Sequence, residues 1–386
     1  MQQNLIKLLY LRPYSEKTYG AEEQDLEAGL EILSSIKNVC VYDIRIDLKC
    51  PRLIHSRFNL KSETRIDFSD VVKFFYNKFS TFDHAMTQAY TYKNYCDLIK
   101  LIKELEIDII MTNTTSTVLF GNQKYAKHIF RSVCFEPIYV LRAVNSKSKA
   151  LLHSVLKLLS IKNELKAHVI FCISPRDARF YKNISKYYKR VNLQLMPLRQ
   201  LKNHSSKSIL IRDVQNLSVG FLGSTYNVLH NRKSLEFVAS SIPNEFWFEN
   251  GVKLNIYGRK IPSDFRLTQG IHVHEWVEDI NEIYNINSCF IVPYFLGSGM
   301  QSKVFEPLIR GRILICDTRV LSEYPFMPYE HYIPAETAED FVNAIKWVKS
   351  NPIEAIEISK QASTLANYLM GKEYIIQETL KSLRDS

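Results

Sequence analysis

The chain has 386 residues, of which 46% are hydrophobic and 23% are charged. This composition excludes a fibrous or intrinsically disordered protein, and the length predicts a globular chain of two domains. The net charge of +10 favours anionic partners, among them nucleotides, anionic lipid head groups and nucleic acids.

The seven cysteines are scattered through the chain and form no C-x-x-C pair. They predict neither a disulfide framework nor a zinc site, and reduced thiols fit a cytoplasmic protein. The apolar part of the N-terminus is too short for a signal peptide. No apolar run approaches the ~18 residues that are needed to span a bilayer.

The first half of the sequence predicts a doubly wound α/β domain, because short apolar runs alternate with helical patterns. Strands are predicted at residues 5–11, 39–44, 107–111, 133–135, 168–173 and 193–198. Helices are predicted at residues 22–35 and 147–166, and another helix begins at Pro175 after the capping residue Ser174. Residues 112–121 are predicted to form a polar loop.

Residues 67–105 are rich in Phe, Tyr and Lys and predict two or three amphipathic helices. Lysines between aromatic residues suit a membrane surface or single-stranded nucleic acid. They suit equally a buried helix face with lysines at its edge. The pattern alone leaves these alternatives open.

The second half restarts after residues 199–216, a polar segment that predicts an interdomain linker. Strands are predicted at residues 217–222, 254–257, 271–274, 289–293 and 313–316. Helices are predicted at residues 231–241, 280–285, 300–310, 341–350, 353–370 and 373–383.

The stretch from residue 289 to residue 317 is the most informative part of the sequence. It predicts a strand, a turn with Gly297 and Gly299, a helix and a second strand. Lys303 and Glu306 are three residues apart, so they share one face of that helix. A Gly-rich turn at a helix N-terminus suits an anionic group. The pattern therefore indicates a ligand with phosphates and sugar hydroxyls, although a surface ion pair would give the same spacing.

The sequence GSGMQSKVFEPLIRGRILI resembles the donor-site signature of GT-B glycosyltransferases, especially family 4, also called group 1. Three other elements follow in the order of that family, namely Gly220-x-x-Gly223, Tyr257-Gly258 and Trp276-Val277-x-Asp279. The resemblance implies an α/β protein with two Rossmann-like, doubly wound domains that face each other across a cleft. Residues 1–200 would bind the acceptor and residues 201–370 the donor, while residues 371–386 would form a helix that returns to the first domain.

The resemblance also implies the site residues. Glu306 would bind the ribose hydroxyls, and Lys303 would act in catalysis on the diphosphate and sugar. Trp276 and Val277 would lie at the nucleobase. The remaining donor contacts implied are Gly223, Ser224, Arg232, Lys233, Arg259, Ser298, Gly299, Met300, Gln301 and Ser302.

One departure from the family leaves the stereochemistry open. Many retaining members have a second Glu eight residues before the ribose ligand, and Ser298 stands at that position here. An inverting enzyme needs a base in the first domain. The candidates for that base are Glu22, Glu23, His128 and Glu136.

No metal and no cofactor are predicted. The sequence contains no Asp-x-Asp, and His272 and His274 share a strand face without a third ligand. The expected donor is a UDP- or GDP-linked sugar, and the expected acceptor is a glycan or a lipid-linked glycan of surface polysaccharide synthesis. The expected location is the cytoplasm, beside an anionic membrane.

Three other functions stay open. The chain could be a non-catalytic nucleotide-sugar-binding homologue, because Ser298 replaces a carboxylate. It could be a nucleotide-sugar epimerase. The net charge also fits a nucleic-acid-binding protein, but the sequence has no recognised nucleic-acid motif, and we expect no such partner.

Overall fold

The computed structural model describes residues 5–13, 21–47, 52–55, 88–113, 117–132, 147–185, 192–195, 207–262, 269–275, 277–293 and 301–385. The chain divides into two compact units. The first contains residues 1–141, 151–200 and 372–386, and the second contains residues 142–150 and 201–371.

The described strands of the first unit form one sheet. They are β1 (Ile6–Pro13), β2 (Val39–Asp47), β3 (Arg52–His55), β4 (Ile109–Asn113), β5 (Lys127–Ser132), β6 (Val169–Cys172) and β7 (Asn192–Leu195). Their order is β3-β2-β1-β4-β5-β6-β7, and all neighbours are parallel except the antiparallel pair β2 and β3. This sheet confirms the α/β prediction for the first half of the chain.

The helices of the first half are α1 (Ala21–Ser34), α2 (Gln88–Leu105), α3 (Val118–Gly121), α4 (Lys147–Glu164) and α5 (Pro175–Ser185). The predicted helices at residues 22–35 and 147–166 are confirmed. Of the amphipathic segment at residues 67–105, only α2 lies within the described residues. Among the described residues, no helix is both long and apolar enough to cross a bilayer.

Between β4 and α4, one prediction was wrong and one strand was missed. Thr112 and Asn113 belong to β4, and α3 occupies part of the predicted polar loop. The strand β5 was missed because His128, Arg131 and Ser132 interrupt its apolar pattern, although all three side chains are buried. Residues 133–135, predicted as that strand, lie outside the described residues.

His128, a candidate base, lies in the interior of the first unit. Its Nε2 lies 2.8 Å from Thr112 Oγ1, and its Nδ1 lies 3.2 Å from Asn122 Oδ1. Burial lowers the pKa of His128 to about 3, so the imidazole is neutral at physiological pH. These contacts give His128 a structural role. The side chains of the other candidates, Glu22, Glu23 and Glu136, lie outside the description.

The described strands of the second unit form an all-parallel sheet. They are β8 (Ser218–Thr225), β9 (Lys253–Arg259), β10 (Ile271–His274), β11 (Cys289–Val292), β12 (Ile313–Cys316) and β13 (Ile333–Pro334). Their order is β10-β9-β8-β11-β12-β13. The helices that follow the first unit's α5 are α6 (Ile211–Gln215), α7 (Leu229–Ser241), α8 (Asn244–Glu249), α9 (Ile280–Ile286), α10 (Ser302–Ile309), α11 (Thr318–Leu321), α12 (Ala338–Ser350), α13 (Pro352–Leu369) and α14 (Lys372–Asp385).

The strands β11 and β12 of the second unit are buried on both faces, as a parallel sheet between helices requires. Cys289 and Ile291 of β11 pack into one apolar cluster, and Phe290 and Val292 pack into the other. Because alternate residues of a strand point to opposite faces, one short apolar run supplies both layers of the core.

The predicted linker at residues 199–216 is wrong in its second half. Within it, α6 is a short helix whose Val214 is completely buried in the second unit's core. Ile209 joins the same cluster. Two isolated apolar residues in a polar segment gave no periodic signal, and their burial depends on contacts that are distant in sequence. At the other end of the chain, α14 contacts α1 and belongs to the first unit.

Candidate active site

Those predicted donor residues that the structure describes lie near the carboxyl ends of the parallel strands of the second sheet or on the segments that follow these strands. The chain runs from β8 to β9 and β10 on one side and from β11 to β12 and β13 on the other. The strand order therefore reverses between β8 and β11, and open α/β sheets bind ligands at such a point. Gly223 lies near the end of β8, and Lys303 and Glu306 lie on α10 beyond β11.

A close backbone approach shapes this edge beside β8. Gly258 has φ of +141°, and a Cβ atom there would lie 2.0 Å from the carbonyl oxygen of Gly223. The Tyr226 hydroxyl donates to the Tyr257 carbonyl oxygen at 2.9 Å, and the Tyr226 amide donates to the Arg259 carbonyl oxygen at 3.0 Å. The end of β8 is thus held against the end of β9.

We expect Gly258→Ala to destabilise the second unit by about 3 kcal/mol or more, because the new methyl group meets backbone rather than a movable side chain. Gly311→Ala is the matched control. Gly311 also has positive φ, +63°, but a Cβ atom there would meet only the Ser363 side chain, at an ordinary contact distance of 3.7 Å, so a loss of only about 1 kcal/mol is expected. The three tryptophans, Trp247, Trp276 and Trp347, all lie in the second unit. Urea unfolding followed by tryptophan fluorescence therefore measures this unit, and equal losses for both variants would contradict the expectation.

Glu306 is a buried carboxylate with a fixed orientation. Its exposed fraction is 6%, and the Tyr284 hydroxyl donates to Glu306 Oε2 at 2.8 Å. Arg310, one turn later at the C-cap of α10, lies with its guanidinium 4.4 Å from the centre of the Tyr284 ring and donates to Asn281 Oδ1 at 2.7 Å. A carboxylate has about four acceptor sites, so Glu306 can accept further hydroxyl groups beside that of Tyr284.

Lys303 is a half-buried cation on the same helix. Burial lowers the pKa of Lys303 to about 8. Among the described residues, none forms a hydrogen bond or an ion pair with its Nζ atom. His230, in the first turn of α7, is near enough to be affected by it: burial, followed by the charge of Lys303, lowers the pKa of His230 to about 4. The first turns of α7 and α10 thus lie close together, with one cation and one neutral imidazole.

Comparison with known proteins agrees with this geometry. Residues 216–351 match the family model "Glycosyl transferases group 1". A search of curated proteins finds no match. Among solved structures, sucrose-phosphate synthase from Thermosynechococcus elongatus is 13% identical, with a TM-score of 0.67 over 98% of both chains. Residues 216–351 are therefore similar to the group 1 glycosyltransferases, and the chain as a whole has the GT-B fold.

Two more solved structures share the fold of this chain. The α,α-trehalose-phosphate synthase (UDP-forming) from Burkholderia vietnamiensis is 10% identical, with a TM-score of 0.60 over 98% of this chain and 100% of that chain. The Anabaena protein HepE, in complex with UDP, is 11% identical, with a TM-score of 0.59 over 99% of this chain and 100% of that chain. At such identities the likeness shows the shared fold.

The basic residues that were predicted to bind the diphosphate differ in how exposed their side chains are. Arg232 forms an exposed ion pair with Glu236 at 3.0 Å, and Lys233 is exposed one residue later on α7. Arg259 is exposed at the carboxyl end of β9. Of the predicted cations, Lys303 is the least exposed. The diphosphate contacts of Arg232, Lys233 and Arg259 stay predictions.

The predicted base-binding residues lie beside a buried polar network. Val277 is half-buried and packs on the core cluster that contains Tyr257 and Tyr284. His274 stacks on the Tyr257 ring, with 4.6 Å between centroids, and its Nε2 lies 3.1 Å from Asn255 Oδ1. Burial, followed by the charge of His272, lowers the pKa of His274. His274 therefore forms a hydrogen bond within the protein through its Nε2 atom.

Several residues that were predicted to contact the donor are not among the described ones. Trp276, Ser298, Gly299 and Met300 lie outside the described residues, as do the side chains of Ser224 and Ser302. Gln301 is the half-buried residue that precedes the first turn of α10.

Sequence reasoning missed Tyr284, His230 and Arg310. Tyr284 is 22 residues from Glu306, so no local spacing connects the two residues. His230 gave no signal of its own, because a single histidine before the charged pair Arg232 and Lys233 matches no motif. Arg310 follows Glu306 by four residues, so the sequence itself indicated that the two residues share a helical face.

Proposed function

We propose that the protein transfers a sugar from a UDP- or GDP-linked donor to a glycan or lipid-linked glycan acceptor of surface polysaccharide synthesis. The observation that carries the proposal is the pair Lys303 and Glu306 at the switch point of the second sheet. Glu306 accepts the ribose hydroxyls, because a buried carboxylate gains most from charge-assisted hydrogen bonds. Lys303 places a cation at the departing diphosphate.

The donor would be held without a metal ion. A half-buried lysine and the backbone amides of the α10 N-terminus can neutralise a diphosphate in place of a cation. The structure of HepE was solved with UDP, which supports a UDP-linked donor first. A GDP-linked donor is the alternative that the same site accommodates.

The acceptor would bind at the corresponding switch point of the first sheet, between β1 and β4. Arg12 is fully buried near the carboxyl end of β1. Its guanidinium donates hydrogen bonds to the Asp43 carboxylate at 2.8 Å and to the Glu27 carboxylate at 2.6 Å. Burial alone would lower the pKa of Arg12, but the bonds to Asp43 and Glu27 raise it, so the guanidinium stays charged. Asn113, at the end of β4, has a buried Oδ1 atom for which the described residues supply no hydrogen-bond partner.

The proposed location is the cytoplasmic face of an anionic membrane, because a lipid-linked acceptor resides there and the chain carries a net charge of +10. Retention or inversion of the anomeric configuration is to be read from the product.

The test is a binding and turnover series in a chelating buffer. UDP, GDP and ADP are titrated by calorimetry, and the sugar forms of the tightest nucleotide are then incubated with a panel of saccharide and lipid-linked acceptors. Acceptor-dependent release of the nucleotide diphosphate is the expected result. Tight binding with no release would favour a non-catalytic homologue, an altered sugar without acceptor would favour an epimerase, and no binding would reject the proposal.

A further inference from the structure

One face of α4 is apolar and exposed. The side chains of Leu151, Leu152, Val155 and Leu158 have exposed fractions of 60%, 59%, 46% and 50%. Their spacing of i, i+1, i+4 and i+7 places them side by side along two turns of the helix. These four side chains are called the α4 apolar face. Contiguous exposure of large aliphatic side chains marks an interaction surface.

Other side chains of α4 hold the helix in place. Ser154, Ile161, Asn163 and Glu164 are buried. Ile161 belongs to the core cluster of the first unit, and Glu164 Oε2 accepts a hydrogen bond of 2.5 Å from the Tyr181 hydroxyl. Among the described residues, α4 is therefore anchored by these buried side chains, while the α4 apolar face is exposed.

The charges of α4 indicate what that partner is. Lys147 lies one turn before Leu151 and Lys162 lies one turn after Leu158, so an exposed lysine continues the face at each end. The helix also contains Lys149 and Lys157, whereas its only acidic residue is the buried Glu164. A surface of aliphatic and cationic groups, with no exposed carboxylate from the helix, complements an anionic and apolar boundary.

We propose that the α4 apolar face inserts into the surface of an anionic lipid bilayer, with Lys147 and Lys162 at the head groups. Helices that lie in a membrane surface bury one apolar face in this way, and long lysine side chains extend from it to the phosphates. The inference deepens the proposed function, on which it rests for the lipid-linked acceptor. The contact itself requires no nucleotide.

The test is co-sedimentation of the full chain with vesicles of neutral phosphatidylcholine, with and without about 30% phosphatidylglycerol, in the absence of donor and acceptor. The wild type is expected to bind the anionic vesicles. The variant L151Q/L152Q/V155Q/L158Q should bind at least about tenfold more weakly. The variant K147Q/K162Q should lose the preference for anionic vesicles, and added salt should weaken wild-type binding in the same way.

The matched control is M327Q/I353Q. It removes two exposed apolar side chains of the second unit, with exposed fractions of 56% and 67%, and should bind vesicles as the wild type does. Calorimetry with UDP checks that each variant is folded. Failure of UDP to bind the wild type would reject the donor site and leave the vesicle result standing.

Two results would overturn the inference. One is vesicle binding of the fourfold variant that equals the wild type. The other is a wild-type dimer in light scattering that the fourfold variant dissociates, since the α4 apolar face would then join two copies of the chain.

Discussion

Replacing Glu306 with alanine is expected to weaken nucleotide binding by at least about thirtyfold, or about 2 kcal/mol. The carboxylate is buried and its Oε2 is oriented by the Tyr284 hydroxyl, so little ordering is needed when ribose hydroxyls arrive. Calorimetric titration of UDP and GDP in a chelating buffer measures the loss. Glu306→Gln, which keeps the shape and removes the charge, should lose most of the same free energy.

Two further variants separate a ligand contact from a packing effect. Tyr284→Phe keeps the ring beneath Arg310 and removes only the hydroxyl that holds Glu306, so a loss of about fivefold is expected. Glu354→Gln changes an exposed carboxylate on α13 and should leave binding unchanged. Wild-type affinity in Glu306→Ala would show that the ribose is bound elsewhere.

The fold was predictable where a short run of consecutive residues forms a strand that is buried on both faces of the sheet. The run at residues 313–316 is apolar throughout, and β12 occupies that range. A strand buried on both faces produces such a signal. The strand β5 gave no such run, because its buried residues include the polar His128, which forms a hydrogen bond with Thr112, and the charged Arg131.

The candidate site was predictable where one helix carries it. The spacing of Lys303 and Glu306 fixes their common face, and α10 includes both residues. What could not be predicted is which residues other elements bring to that face. Tyr284 comes from α9, and His230 comes from α7. Their approach depends on strand order, which the sequence alone does not specify.

Replacing Lys303 with methionine is expected to lower turnover by about 100-fold, because a cation aimed at a departing diphosphate stabilises the transition state by about 3 kcal/mol. Methionine keeps the length and apolar stem of the half-buried side chain. The initial rate of nucleotide release at saturating donor measures the effect. Lys253→Met is the control, since Lys253 is exposed at the amino end of β9, away from the ligand edge of the sheet.

The pH dependence provides an independent test of the same residue. In the free protein, burial lowers the pKa of Lys303 to about 8. A bound diphosphate favours the charged ammonium and therefore raises that pKa, so donor binding takes up a proton above pH 8. Affinity should fall by up to about tenfold per pH unit in this range. His230, whose pKa is lowered to about 4, is already neutral and takes no part.

Calorimetry at pH 9 in two buffers of different ionisation enthalpy measures the proton uptake directly. Wild type and Lys253→Met should take up the same fraction of a proton, and Lys303→Met should take up none. A Lys303→Met enzyme with wild-type turnover and an unchanged pH profile would assign the diphosphate to another cation. Arg259, exposed at the carboxyl end of β9, would then be the next residue to replace, because it lies at the same edge of the sheet.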